Sequence, residues 1–134
     1  MRVREASCSC GDIHLRCKGD PVRVSVCHCL ECQKRTGSAF GAQARFPRED
    51  VKFAAGEPST YARKGDEGSV ATFRFCTNCG STVWYTNDTD TANVAVTLGA
   101  FADPSFPAPR FSVYEERKHG WVAFNETALI KHDW

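Results

Sequence analysis

The chain has 134 residues, with 17 Lys and Arg against 16 Asp and Glu, so its formal net charge is only +1. This length fits one domain with a modest core, and we predict a single domain over residues 1–134. The charge balance disfavours nucleic acid or an acidic membrane as a partner. No apolar run approaches the ~18 to 20 residues that cross a bilayer, and no apolar segment of a signal peptide follows the charged residues 2–5, so we expect a cytoplasmic protein with no membrane partner.

Alternation of apolar and polar residues predicts a mainly β fold. Residues 13–17 carry apolar side chains on one face, and residues 22–26 do the same after a Gly-Asp-Pro turn, so we expect the two to pair as a hairpin that leads into Cys27. A short helix is expected over 30–35 and one helical turn, opened by proline, over 47–50. We also expect strands over 39–46, 69–76, 93–98 and 111–115, and loops over 64–68, 87–90 and 103–109.

The aromatic side chains are expected mainly in the core, since aromatics supply much of a small domain's buried area. This expectation covers Phe46, Phe53, Phe73 and Phe75. Core positions are also favoured for Trp84, Tyr85 and Trp121, with the wall of a pocket as the alternative. The charge run over 115–119 is expected at a solvated edge or turn.

Seven of the eight cysteines fall into three clusters, at 8–10, 27–32 and 76–79. Cytoplasmic thiols stay reduced, and a disulfide between cysteines one residue apart would be strained, so metal ligation is favoured over a disulfide framework. Zinc is favoured over an iron–sulfur centre because short thiolate turns suit its tetrahedral sites. The grouping into four and three predicts two zinc ions per chain with different roles.

A structural zinc site is predicted from the first and third clusters, with ligands Cys8, Cys10, Cys76 and Cys79. Residues i and i+2 of an extended segment share one face, so Cys8 and Cys10 can reach one metal. A glycine able to take positive φ follows each pair. Four thiolates close a tetrahedral site, and such sites stabilise the folded state.

A catalytic zinc site is predicted at Cys27, Cys29 and Cys32, because three thiolates leave one coordination position open. A three-thiolate zinc is a weak Lewis acid toward water but deprotonates a coordinating thiol, so the site suits a sulfur substrate. We expect Lys34 and Arg35 to orient the carboxylates of that substrate.

Two residues could alter this assignment. Cys17 could be a fourth ligand and close the second site, but the alternation places it on the apolar face, where a free cysteine behaves as a small hydrophobe. His28 lies between two ligands, which turns its side chain away from the metal, so a surface position or a role in supporting the ligands is favoured over ligation, and His28 is also a candidate substrate contact.

The three motifs together resemble one known family. The order C-x-C-G, then C-H-C-x2-C followed by Gln33 to Phe40, then C-x2-C-G-S is similar to the glutathione-dependent formaldehyde-activating enzyme (GFA) family, which includes the centromere protein V type of domain. The resemblance implies a mainly β, Mss4-like fold of antiparallel sheets pinned by zinc. It also implies a carbon–sulfur lyase activity that forms or cleaves S-hydroxymethylglutathione, the adduct of glutathione and formaldehyde. It assigns two sets of ligands: Cys8, Cys10, Cys76 and Cys79 to the structural zinc, and Cys27, Cys29 and Cys32 to the catalytic zinc.

We therefore predict a zinc-dependent carbon–sulfur lyase that acts on a glutathione-like thiol and a small aldehyde. The alternative is a non-catalytic zinc-stabilised binding or scaffold module, because fold does not imply function. Nucleic-acid binding is least favoured, since acidic residues are as plentiful as basic ones. The basic residues that it would use are Arg16, Lys18, Arg23, Lys34 and Arg35.

Overall fold

Strands dominate the computed structural model, which describes residues 2–65, 67–125 and 130–132. The strands are β1 (Val3–Ser7), β2 (His14–Lys18), β3 (Arg23–Cys27), β4 (Gly41–Pro47), β5 (Val51–Ala55), β6 (Ser59–Lys64), β7 (Val70–Phe75), β8 (Thr82–Asn87), β9 (Asp90–Thr97), β10 (Phe111–Val113) and β11 (Lys131–His132). A helix α1 (Leu30–Thr36) and 3-10 turns at Arg48–Asp50, Leu98–Phe101 and Glu115–Arg117 complete them. The predicted mainly β fold is confirmed. Within these ranges, no helix is long and apolar enough to cross a membrane.

The strands form two sheets, and the chain passes between them from β2 to β3, from β4 to β5 and from β5 to β6. The smaller sheet has the order β1-β2-β5, and the larger has β11-β10-β3-β4-β9-β8-β7-β6. All pairings are antiparallel except those of β10 with β3 and β11. The predicted hairpin of residues 13–17 and 22–26 is therefore wrong. The chain changes sheets in this turn. The Gly19 amide donates to the carbonyl of Arg2, just before β1 of the smaller sheet, at 2.8 Å, and the Val22 amide donates to the carbonyl of Arg45, in β4 of the larger sheet, at 2.7 Å.

The hydrophobic core lies between the two sheets. It combines Leu15, Cys17 and Val51 of the smaller sheet with Val24, Phe46, Val94 and Val96 of the larger one. Side chains alternate along a strand, so the residues between these apolar positions lie on the opposite face of the larger sheet. That second face carries the polar residues Ser25 and Gln43, both buried, and forms the floor of the cavity described below.

Other predicted elements agree with the structure in part. The helix, the helical turn and the four later strands are present within a few residues, whereas β1, β5, β6, β8 and β11 were not predicted. Strands β5 and β6 are mostly exposed, so they lack the alternation by which a half-buried strand is predicted. Phe46 and Phe73 are buried as expected. Phe53 is not a core residue: it is 51% exposed and packs across Trp84, with ring centroids 4.8 Å apart.

Candidate metal centres and cavity

The first candidate metal centre brings together the sulfurs of Cys8, Cys10, Cys76 and Cys79, all within 4.8 Å of one another. The Cys10 sulfur lies 3.7 Å from that of Cys8 and 3.6 Å from that of Cys76. Sulfurs that share one zinc at Zn–S distances of ~2.3 Å are separated by about 3.7 Å, so this set fits a tetrahedral zinc. The structure thus groups the four cysteines that the spacing predicted.

Local backbone structure explains why these four sulfurs converge. Gly11 and Gly80 have φ of +86° and +81°, the left-handed region that glycine adopts without strain, and each closes its cysteine turn. The Ile13 amide donates to the Cys8 sulfur at 3.2 Å. Hydrogen bonds from Ser81 lower the pKa of Cys79 to about 5, which favours the thiolate that a metal binds.

This centre joins the two sheets. Cys8 follows the last residue of β1 in the smaller sheet, and Cys76 follows the last residue of β7 in the larger sheet. A second link supports the joint, because the Ser9 amide donates to the Ser81 hydroxyl at 3.2 Å. A metal here would hold the end of β1 against the end of β7 and so join the two sheets, as expected of a structural site.

The second candidate centre contains the sulfurs of Cys27, Cys29 and Cys32, which also lie within 4.8 Å of one another. Cys27 ends β3, Cys29 is the N-cap of α1, and Cys32 lies one turn into the helix. The Cys32 amide donates to the Cys29 sulfur at 3.2 Å, so the helix start itself orients a ligand.

The three thiols already favour one thiolate. Hydrogen bonds from Cys27 and Cys32 lower the pKa of Cys29 to about 2, and the same contacts and burial raise the pKa of Cys27. The Cys29 and Cys32 sulfurs are 2.8 Å apart, so a shared zinc requires them to separate by about 0.9 Å. Three convergent soft donors that are partly buried fit a zinc ion with an open position.

Cys17 stays apart from both centres. It is fully buried in the core between the sheets, and it belongs to neither of the two sulfur groups. Burial raises its pKa to about 12, as expected of a thiol that packs as a small apolar group. This position agrees with the assignment of Cys17 to the apolar face of β2.

A cavity of about 780 Å³ extends from the three-cysteine centre across the polar face of the larger sheet. Ser25, Gln43, Ala71, Phe73 and Tyr85 line its floor. Among the described residues, the wall carries the anions Glu31 and Asp90 against a larger set of cations: Arg23, Arg35, Arg45, Arg63, Lys64 and Arg117. The excess of positive charge favours an anionic ligand.

Arg35 is the cation that is set most firmly beside the cysteines. Its guanidinium lies over the rings of Phe73 and Tyr85, with centroid distances of 5.0 and 5.6 Å. The guanidinium of Arg63, on β6, lies 5.1 Å from the centroid of the same Phe73 ring. The Arg35 Nε atom is buried and has no hydrogen-bond partner among the described residues. The aromatic rings hold the guanidinium in place beside the cavity.

The structure separates the three predicted substrate contacts. Arg35 lines the cavity, whereas the Lys34 side chain is 77% exposed, lies 4.0 Å from Glu31 and does not line the cavity. His28 is fully buried behind the cysteines and is not part of the cavity wall. Of the possible aromatic wall residues, Tyr85 lines the cavity, while Trp121 is 74% exposed and lies outside it.

Several wall residues were not predicted, among them Arg23, Ser25 and Gln43. The alternation along β3 carried a usable signal, because Ser25 and Arg23 lie two and four residues before Cys27 and therefore share its face. No local pattern identifies Gln43, Arg45 or Arg63, since pairing between strands distant in the chain brings them to the same face.

The geometry defines a class: a mainly β protein with one cluster of four cysteines and one of three, the latter at the end of a cationic cavity. Residues 3–117 match the model of the glutathione-dependent formaldehyde-activating enzyme family, and the chain belongs to that family. A Schizosaccharomyces pombe protein named an uncharacterized lyase is 32% identical over 89 residues. That match covers 65% of this chain and 61% of the relative, so the chain spans less than two thirds of the relative's length.

A solved structure supports the fold alone. The crystal structure of a Rhodobacter sphaeroides protein superposes with a TM-score of 0.56 and covers 97% of this chain and 98% of that chain. Its sequence identity of 15% carries no argument about activity.

Proposed function

We propose that the protein is a zinc-dependent carbon–sulfur lyase that forms or cleaves the adduct of a glutathione-like thiol with a small, formaldehyde-like aldehyde. The observation that carries the proposal is the position of three cysteine sulfurs at one end of a cationic cavity of about 780 Å³. The family name supplies glutathione and formaldehyde as the first substrates to test, and the fission yeast relative's name supplies lyase chemistry.

Cys27, Cys29 and Cys32 would hold the catalytic zinc, while Cys8, Cys10, Cys76 and Cys79 would hold a structural one. When bound at three thiolates, zinc supplies a Lewis acid that favours the thiolate form of a substrate thiol. In the forward direction a bond forms between the thiol sulfur and the aldehyde carbon, the carbonyl π bond breaks, and the thiol proton ends on the carbonyl oxygen. The reverse direction releases the free thiol and the aldehyde.

The cavity residues would bind and orient the thiol. Arg35 is proposed to bind a carboxylate of the substrate, because its guanidinium is fixed by two rings and its side chain lines the cavity. The buried rings of Phe73 and Tyr85 exclude water from one side of the site, which strengthens such a charged contact. We also propose a cytoplasmic location, where the thiols that this chemistry requires remain reduced.

The proposal is tested by the rate at which purified protein brings glutathione and formaldehyde into exchange with S-hydroxymethylglutathione, followed by exchange NMR. We expect acceleration above the uncatalysed rate, and loss of that acceleration in Cys29→Ser. A protein with two zinc ions that leaves the exchange rate unchanged would contradict the lyase proposal and favour the scaffold alternative.

Two neighbouring residues of α1 give a matched pair for the substrate contact. Arg35→Met removes a charge on the cavity wall and is expected to raise KM for glutathione ~10- to 100-fold, since a charge-assisted hydrogen bond contributes ~1.5–3 kcal/mol. Lys34→Met removes the same charge from the exposed face and is expected to leave KM unchanged. Equal effects in the two variants would show a general loss of positive charge instead of a contact at Arg35.

A further inference from the structure

A chain of buried polar side chains runs behind the three-cysteine centre, on the side away from the cavity. The His28 Nε2 atom lies 3.0 Å from the Ser112 hydroxyl of β10, and both residues are fully buried. The Ser112 hydroxyl also forms a hydrogen bond with Glu115, whose side chain is only 11% exposed. The Oε2 atom of Glu115 lies 2.5 Å from Nδ1 of His132 at the surface.

The direction of these hydrogen bonds follows from the number of donors. A carboxylate only accepts, so the single Ser112 proton is donated to Glu115. The Ser112 oxygen is then an acceptor, and the His28 Nε2–H donates to it. This fixes the His28 tautomer with Nδ1 unprotonated, in agreement with the absence of a partner for that buried atom among the described residues.

This series of hydrogen-bonded side chains ends at His28, which lies between the candidate ligands Cys27 and Cys29. The His28 amide donates to the Val113 carbonyl at 3.1 Å, and the Gln33 side chain donates to the His28 carbonyl at 2.9 Å. With the ring bonded to Ser112, His28 is held at its amide, its carbonyl and its side chain. Adjacent side chains of an extended segment point in opposite directions, so fixing His28 also fixes the directions of Cys27 and Cys29.

We propose that Glu115 is a positioning residue, which acts through Ser112 and His28 to hold Cys27 and Cys29 in the arrangement that binds the second metal. Packing alone does not fix the ring. The rings of Phe40 and Phe124 meet it edge-on at 5.9 and 5.8 Å, which fills space but supplies no hydrogen bond. The inference rests on the proposed zinc at the three-cysteine centre.

The test is the rate of zinc transfer from the intact protein to a chromogenic chelator. Wild type should release two zinc ions in two phases, and Cys32→Ser identifies the phase that belongs to the three-cysteine centre. We expect Glu115→Gln to accelerate that phase ~10- to 100-fold, the usual effect of removing a partner that orients metal ligands. The four-cysteine phase is expected to keep its rate, because His28, Ser112 and Glu115 do not belong to that centre.

Glu116→Gln is the matched control. It makes the same change one residue further along the same 3-10 turn, but its side chain is 51% exposed and lies 3.9 Å from Arg117 at the surface. We expect wild-type release from both centres. Unchanged release in Glu115→Gln, or equal acceleration of both phases, would overturn the proposal.

A double variant tests whether Glu115 acts through Ser112. Ser112→Ala breaks the chain in the middle, so adding Glu115→Gln should change the release rate no further. Independent, additive effects would overturn the proposed route. A wild-type protein that binds only one zinc would overturn the proposed function together with this inference, whereas two zinc ions with unaltered release in Glu115→Gln would overturn this inference alone.

Discussion

Cys17→Ser distinguishes an open three-sulfur centre from a closed four-sulfur one. Cys17 is fully buried on β2 between the two sheets and is not grouped with Cys27, Cys29 and Cys32. Serine removes a sulfur ligand if Cys17 binds zinc, and it only alters the core if Cys17 does not. We expect the variant to keep two zinc ions per chain and to lose stability.

The size of that loss follows from the surroundings of Cys17. The serine hydroxyl would replace a weakly polar thiol among apolar neighbours such as Leu15 and Phe46. A buried hydroxyl without a partner costs ~1–3 kcal/mol. For a chain of 134 residues, 1 kcal/mol shifts the unfolding midpoint by about 3–5 °C, so the expected decrease is about 3–15 °C.

The assay combines zinc content, measured by mass spectrometry after exhaustive dialysis, with thermal unfolding at pH 7. Cys17→Ala is the control, because it leaves a small cavity but introduces no polar atom, and it too should keep two zinc ions. The open-site reasoning is refuted if Cys17→Ser loses one zinc and if the release phase of the three-cysteine centre disappears.

Three further outcomes are expected. Burial raises the pKa of Cys17 to about 12 from 9.0, so its stabilising contribution is complete below pH 9 and is lost as the pH rises toward 12, by up to ~1.4 kcal/mol per pH unit. Between pH 8 and 10, wild type should therefore lose more unfolding free energy than Cys17→Ala, and equal losses would contradict this. Gly56→Ala would place Cβ 2.2 Å from the Asp12 carbonyl oxygen at a φ of +88°, so urea unfolding should show a loss of ~2 kcal/mol or more, whereas Gly99→Ala meets no atom within 4 Å and should change little. Cys76→Ser should abolish the near-ultraviolet circular dichroism of the folded state, because structural zinc contributes ~10–16 kcal/mol, as much as the whole stability of a domain; a native spectrum would contradict a structural role for the first centre.

The division of the cysteines was predictable from the sequence, because candidate metal ligands within one turn lie close together in the sequence. Ligands one to three residues apart must converge through the turn that contains them, and the glycines after Cys10 and Cys79 take the positive φ that such turns need. The burial of Cys17 was equally local, since strand alternation assigned it to the apolar face.

The pairing of strands was not predictable in the same way. The alternation of residues 13–17 and 22–26 is compatible with a hairpin, but it contains no information about which edges pair. Residues far along the chain decided the outcome: β1 and β5 pair with β2, while β4 and β10 pair with β3. Strand β6 was not predicted for a different reason: it is mostly exposed, so it lacks the alternation of a half-buried strand.

The sequence by itself determined the two sulfur sets, the mainly β fold and the resemblance to the family, because spacing and alternation are properties of neighbouring residues. Only the tertiary structure decided which side chains surround the open centre. It placed Arg35 on the cavity wall and Lys34 in solvent, although the two are adjacent, because successive helical residues point in different directions. It also brought Ser112 and Glu115 to His28 across more than eighty residues, since only sheet pairing and burial can align side chains at that separation.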